Sequence, residues 1–153
     1  MKTLELKIPP VVTMIVVAMV MILLAQVFPE FTLTFSLKKE LSIVIVIAGI
    51  LVAMSGVWAF HNARTTLNPL LPSDTKSIVS YGIFKVSRNP MYLGFLISLI
   101  GLAVYLLNII AFVSIFVFKI FMDELHIKPE EKVLQKKFGK AYSDYLDKVP
   151  RWI

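Results

Sequence analysis

The run MYLGFLISLIGLAVYLLNIIAFVSIFVFKIFM, Met91 to Met122, decides how this chain folds. Its 32 residues are apolar apart from a few small or hydroxyl-bearing side chains, with Asn108 near the middle and Lys119 near the end. One straight helix of that length would rise about 48 Å, too long for a hydrocarbon core of about 30 Å. Two short helices turning near Leu107-Asn108 fit instead, each of about 15 to 17 residues, suited to a thinned or shielded part of a bilayer. Such a hairpin brings the chain back to the side it left. The polar residues before Met91 and after Met122 then meet.

The segments upstream have the same character. Ile8 to Phe28 is an apolar run about as long as a bilayer core requires. Lys2 and Lys7 precede it, as in a signal peptide, but the run is long for one and Ala25-Gln26-Val27 makes a poor cleavage site. A second span is predicted from Leu41 to about Phe60, after a polar connection over Pro29 to Glu40. Its Gly49, Ala53 and Gly56 form a small-residue face that lets helices approach closely in lipid, within the chain or in a dimer. With 58% hydrophobic and only 17% charged residues, and a mean hydropathy of +0.79, the chain reads as an all-α, polytopic membrane protein. The expected architecture is a single domain over residues 1–153. It has about four transmembrane helices, the last two a short hairpin, then a C-terminal amphipathic helix on the cytoplasmic side.

Charge supports that side assignment. The net charge of +6 in such a sequence reports topology and contact with anionic headgroups rather than nucleic acid. With four spans, all Lys and Arg residues except Lys38 and Lys39 fall on one side, counting Lys119 with the tail. The positive-inside rule makes that side cytoplasmic, both termini included, in a prokaryotic inner or plasma membrane. The absence of cysteine removes disulfides, thiolate zinc sites and cysteine nucleophiles. His61 and His126 are too few for a histidine-only metal site, and no metal is expected.

Two polar clusters remain. Residues 61–89 have loop character, with Asn68-Pro69, Leu71-Pro72-Ser73-Asp74 and Tyr81-Gly82, and carry Arg64, Lys76, Lys85 and Arg88 against Asp74. At nearly thirty residues the loop is long for a connector, and long ordered loops are often functional. It ends in Ser87-Arg88-Asn89-Pro90-Met91-Tyr92-Leu93-Gly94. The tail, from Asp123, reads as largely helical, with Pro129 in a first turn and Glu130 and Glu131 at the positive end of the helix dipole. At 100° per residue, Leu134, Phe138, Tyr142 and Tyr145 share an apolar face. Glu131 falls within that arc and Glu130 at its edge, so the hairpin should bring Arg88 and these acids together. Taken singly, Arg88 also fits a snorkelling cation, the tyrosines an interfacial belt, and Arg151 and Trp152 a surface anchor.

Taken together, the two clusters resemble the signatures of the isoprenylcysteine carboxyl methyltransferases and the related phospholipid methyltransferases. The first is Gly82-Ile83-Phe84-Lys85-Val86-Ser87-Arg88-Asn89-Pro90-Met91-Tyr92-Leu93-Gly94. The second is Pro129-Glu130-Glu131, then Leu134, Phe138-Gly139, Tyr142, Tyr145 and Val149-Pro150-Arg151-Trp152. The likeness covers about residues 61–153. Ile83 and Phe84 stand where Pro and Tyr are common, Lys85 replaces Arg, and Asn89 replaces the His of the prenylcysteine enzymes. The resemblance implies S-adenosylmethionine as methyl donor, held without a Rossmann domain, and the chain has no Gly-x-Gly-x-x-Gly. It implies Arg88, Glu131 and Arg151 as catalytic residues. Arg88, Asn89, Pro90, Tyr92, Gly94, Glu130, Glu131 and Tyr142 would hold the cofactor, with Tyr145 and Trp152 toward a lipophilic acceptor. Charge-assisted hydrogen bonds suit the two acids to a ribose diol or an ammonium, and the fork of Arg88 suits a carboxylate. The rival expectations are a membrane reductase of sterol-reductase type, using a reduced nicotinamide cofactor, and a non-catalytic carrier or partner protein.

Overall fold

A computed structural model describes residues 8–63, 75 and 77–153. The described elements are helix α1 (Pro10–Val27), a 3-10 turn (Pro29–Phe31), α2 (Lys38–Asn62) and a second 3-10 turn (Gly82–Lys85). Helices α3 (Pro90–Leu106) and α4 (Ile109–Met122) follow, then a π-helical turn (Asp123–Ile127), α5 (Lys128–Phe138) and α6 (Lys140–Leu146). The two upstream runs are helical within two or three residues of their apolar limits. Lys38, Lys39 and Glu40, assigned to a connection from sequence, are instead the first turn of α2. Arg64, Asn68-Pro69, the 71–74 motif and Lys76 lie outside the described residues.

Helices α1 and α2 are long and apolar enough to cross a membrane, with mean hydropathies of 2.5 and 2.6. Their side chains point outward to an extent that water would not tolerate. Trp58 on α2 is 68% exposed and Phe116 on α4 69%, amid many exposed Val, Ile, Leu and Met residues. Soluble monomers rarely expose continuous apolar patches of more than a few hundred Å². A hydrocarbon solvent removes that penalty and leaves close packing to hold the helices together.

Glycines supply that packing between α2 and α3. A Cβ added at Gly94 would lie 2.5 Å from the Gly49 carbonyl oxygen, and one at Gly49 would lie 2.7 Å from the Gly94 carbonyl oxygen. The backbones therefore touch, with Ala53 packed against Gly94 and Gly56 against Met91 and Pro90. The small-residue face of α2 is thus spent inside the molecule. On the other flank, Met21 of α1, Leu99 and Ala103 of α3, and Ala111, Phe118 and Met122 of α4 make the main core cluster.

The hairpin turns where its polar interruption falls. Leu107 adopts a left-handed conformation (φ 48°), and its N–H bonds the Ala103 carbonyl, closing α3. Asn108 is fully buried and caps α4 by accepting from the Ile110 and Ala111 N–H groups, both at 3.1 Å. Its amide also donates to the Phe28 carbonyl (2.8 Å) and Thr32 Oγ1 (3.1 Å). The return leg carries the chain back beside Arg88.

Two features of the tail differ from expectation. Pro129, Glu130 and Glu131 do stand in the first turn of α5, but α4 runs into that turn without a break, through the π turn. Pro129 has no N–H to bond the Leu125 carbonyl, and the chain widens just before it, with the Lys128 N–H bonding Asp123, five residues back. Glu130 and Glu131 therefore face no free helix N-terminus. The helix also breaks at Gly139 (φ 53°), a conformation natural to glycine, so Tyr142 and Tyr145 sit on the separate helix α6. Leu134, Phe138, Tyr142 and Tyr145 still share one cluster, now across a bend.

Candidate active site

The end of α2, the start of α3, the π turn and the C-terminal residues gather around Glu131. Arg88 Nη1 lies 3.1 Å from Glu131 Oε1. Arg151 grips the same carboxylate as a fork, Nε to Oε1 at 3.1 Å and Nη2 to Oε2 at 2.7 Å. The convergence expected of Arg88 and Glu131 is present, and Arg151 completes it. All three side chains are largely sheltered, and the Arg88 Nε is buried with no hydrogen-bond partner.

Local backbone contacts fix this arrangement. The Arg88 N–H donates to the Pro150 carbonyl at 3.0 Å, and Asn89 Nδ2 donates to the Arg151 carbonyl at 2.9 Å. Ser87, completely buried, accepts the Asn89 N–H through Oγ (3.2 Å). Asn89 and Ser87 thus tie the C-terminal residues to the turn before α3, and Pro90 is the first residue of that helix. Beyond Arg151, the Trp152 indole donates to Asp123 Oδ1 at 3.0 Å, and Lys119 Nζ lies 5.6 Å above its ring.

Glu130 and Glu131, adjacent in sequence, have different surroundings. Glu130 accepts from the Tyr92 hydroxyl at 3.2 Å and has no arginine partner among the described residues. Burial pushes its pKa up to about 7; the Tyr92 hydrogen bond opposes the rise and the neighbouring Glu131 charge adds to it. Tyr142 stands 6.2 Å from Tyr145, ring to ring, and burial with the two acids pushes its phenol far up. The Tyr145 hydroxyl donates to the Phe84 carbonyl at 2.7 Å, and burial raises its pKa to about 12 against the opposing charge of Arg88.

These groups border a cavity of about 50 Å³. Arg88, Asn89, Glu130, Glu131, Tyr142 and Tyr145 line it, with Phe60, Thr75, Phe84, Ile127 and Leu134. Tyr92 reaches it only through Glu130, while Arg151 and Trp152 stand behind Glu131. Gly94 is placed elsewhere: its Cα is pressed against α2, so its part is to let the helices meet. Ser87, Asp123 and Phe60 were not singled out from sequence. Their signals are weak, a serine beside the arginine, one acid in an acidic pair, and one aromatic at a helix end.

These features define a class: a helical membrane protein that buries an Arg–Glu–Arg network and an unpaired carboxyl where its apolar helices end. Residues 37–141 match the family model of the phospholipid methyltransferases, and the chain belongs to that family. It is 32% identical over 133 residues to the protein-S-isoprenylcysteine O-methyltransferase of Saccharomyces cerevisiae, covering 80% of this chain and 53% of the yeast one. Protein-S-isoprenylcysteine O-methyltransferase B of Arabidopsis thaliana is 27% identical over 114 residues, 73% of this chain and 57% of that one. An uncharacterized protein of Haemophilus influenzae is 35% identical over 63 residues, 41% of this chain and its own full length. The chain thus spans a little over half the length of these named methyltransferases. No solved structure matches it.

Proposed function

We propose that this protein is an integral membrane methyltransferase that moves a methyl group from S-adenosylmethionine to a lipophilic acceptor at the cytoplasmic face. The observation that carries the reading is the ion-paired centre, in which both signature segments of the family meet through Arg88, Glu131 and Arg151. Four spans, with α3 and α4 as the short pair, agree with the helix order and with the gathering of Lys and Arg at the end that holds the site. The family match favours methyl transfer over nicotinamide-dependent reduction.

The donor set suits the cofactor. Arg88 has a buried Nε without a partner, and an α-carboxylate bound there would satisfy it. Glu130, free of arginine, suits a ribose diol or an ammonium, and the Tyr142 ring suits an adenine face. Glu131 acts through the two guanidinium groups it orients, which makes it a positioning residue. Bound cofactor would supply an electrophilic methyl on a sulfonium. The protein's share of the chemistry is then alignment and exclusion of water. The cavity holds little more than a water or two, whereas ligand pockets usually run to hundreds of Å³, so binding requires the walls to part. The acceptor enters laterally, from the lipid.

Calorimetry on the full chain in detergent tests this reading. Micromolar binding of S-adenosylmethionine or its demethylated product is expected, lost in Arg88→Ala and strongly weakened in Glu131→Gln. Folded protein that binds neither refutes the reading.

A further inference from the structure

His126 takes no part in the ion-paired centre, yet it is completely buried and its Nδ1 has no hydrogen-bond partner. Its Nε2 lies 3.4 Å from Thr13 Oγ1 on α1, and its ring stands 6.4 Å from the Tyr92 ring on α3. Three successive residues of the π turn divide the molecule. Leu125 lines an apolar groove of about 550 Å³ between α1 and α4, which Thr13 also lines. Ile127 lines the polar cavity. His126 sits between them, against Thr13 toward the groove and, by way of Tyr92, close to Glu130 on the cavity side. Leaving a buried polar group without a partner costs roughly 1–3 kcal/mol, which calls for a reason, and π turns recur at functional sites.

We propose that His126 Nδ1 receives the proton-bearing head of the methyl acceptor, an amphiphile ending in a phenol, whose chain lies in the α1–α4 groove. This rests on the methyl-transfer reading above and narrows its acceptor. With Nε2–H donating to Thr13, Nδ1 carries the lone pair. Burial holds the imidazole below its ordinary pKa, so the ring is neutral at physiological pH and able to take a proton. The groups that face it are Thr13 from α1 and Tyr92 from α3, with Glu130 behind the Tyr92 hydroxyl. A carboxylate acceptor arrives without a proton and a neutral amine attacks through its lone pair, so neither needs such a base, whereas a phenol must lose its proton to become an ether. As the phenol oxygen bonds to the methyl carbon, the S–CH₃ bond breaks with its electron pair passing to sulfur. The acceptor's proton passes to Nδ1 and then to solvent.

The test is a binding measurement that needs no turnover. The chain has two histidines, so nitrogen-15 histidine labelling of the full protein in nanodiscs gives one resonance pair for His126 and one for His61 as a control. Adding a long-chain para-alkylphenol should shift the His126 Nδ1 resonance, while its methyl ether, of equal shape but without the O–H, should not. His126→Gln should lower the preference for phenol over ether about tenfold. Equal responses to both compounds, or none at His126 with the phenol, overturn the proposal. Calorimetric donor binding retained in His126→Gln shows that the variant is folded. Absent donor binding in the wild type would instead sink the methyl-transfer reading, and this proposal with it.

Discussion

The N-terminal helices and the segment from Ser87 to Trp152 solve opposite problems with the same chain. In α1 and α2 many large apolar side chains face outward, and the buried face of α2 is built of glycine, serine and alanine, because lipid is as good a solvent for leucine as another leucine. From Ser87 onward the polar groups turn inward, and a carboxylate is held by two guanidinium groups rather than by water. The first region shows that burial is no measure of hydrophobicity in a membrane protein. The second shows that a buried charge persists only where its partners are fixed by backbone contacts.

Removing the carboxylate should break the second region hardest. Glu131→Ala leaves Arg88 sheltered and unpaired and frees the C-terminal residues, a loss of about 3 kcal/mol, the lower end for a broken buried pair. Thermal unfolding in detergent should show it, and Glu131→Ala combined with Arg88→Met should recover part of the loss. A lesser effect belongs to the first region. Leu51 is 60% exposed, and in a soluble protein Leu51→Lys would be nearly neutral. Facing lipid it should cost about 2.5 to 3 kcal/mol in a membrane-insertion assay, and full tolerance would contradict the outward-facing assignment of α2.

The smallest effect concerns Glu130. Its folded-state pKa is raised to about 7, so between about 4.5 and 7 the folded protein binds more protons than the unfolded chain. Stability from this group is complete below that window and falls as pH rises through it, by 1 to 2 kcal/mol once partial exposure is allowed for. Glu130→Gln should flatten the pH dependence of the melting temperature in that window. An unchanged slope would show that Glu130 is solvated.

The helices were legible because their apolar runs are bounded by polar or turn residues, and the hairpin because Asn108 is the polar interruption near the middle of a run too long for a single span. The meeting of Arg88 with Glu131 followed from that hairpin and the two signature segments. Other features were not readable from local pattern. The π turn depends on a missing N–H at Pro129 within a helix that does not stop, and sequence favoured a fresh start there. The Gly139 break carried a visible signal, a glycine after the last periodic residue, but the apolar period continues across it and masks the end. Gly94 was placed in the site because it lies in a motif, whereas its contacts lie across α2. The fork of Arg151 on Glu131 depends on bonds to the Pro150 and Arg151 carbonyls from the Arg88 N–H and from the Ser87 and Asn89 side chains, more than sixty residues away in sequence.

Asn108 has a mechanical consequence. All four of its amide hydrogen-bonding positions are used, tying the α3–α4 turn to Phe28 and Thr32 just after α1, while the Leu33 N–H clasps the Leu107 carbonyl at 2.8 Å. The α3–α4 turn is therefore clamped to the segment after α1 by side-chain and backbone bonds together, which fixes how the return leg is aimed toward Glu131.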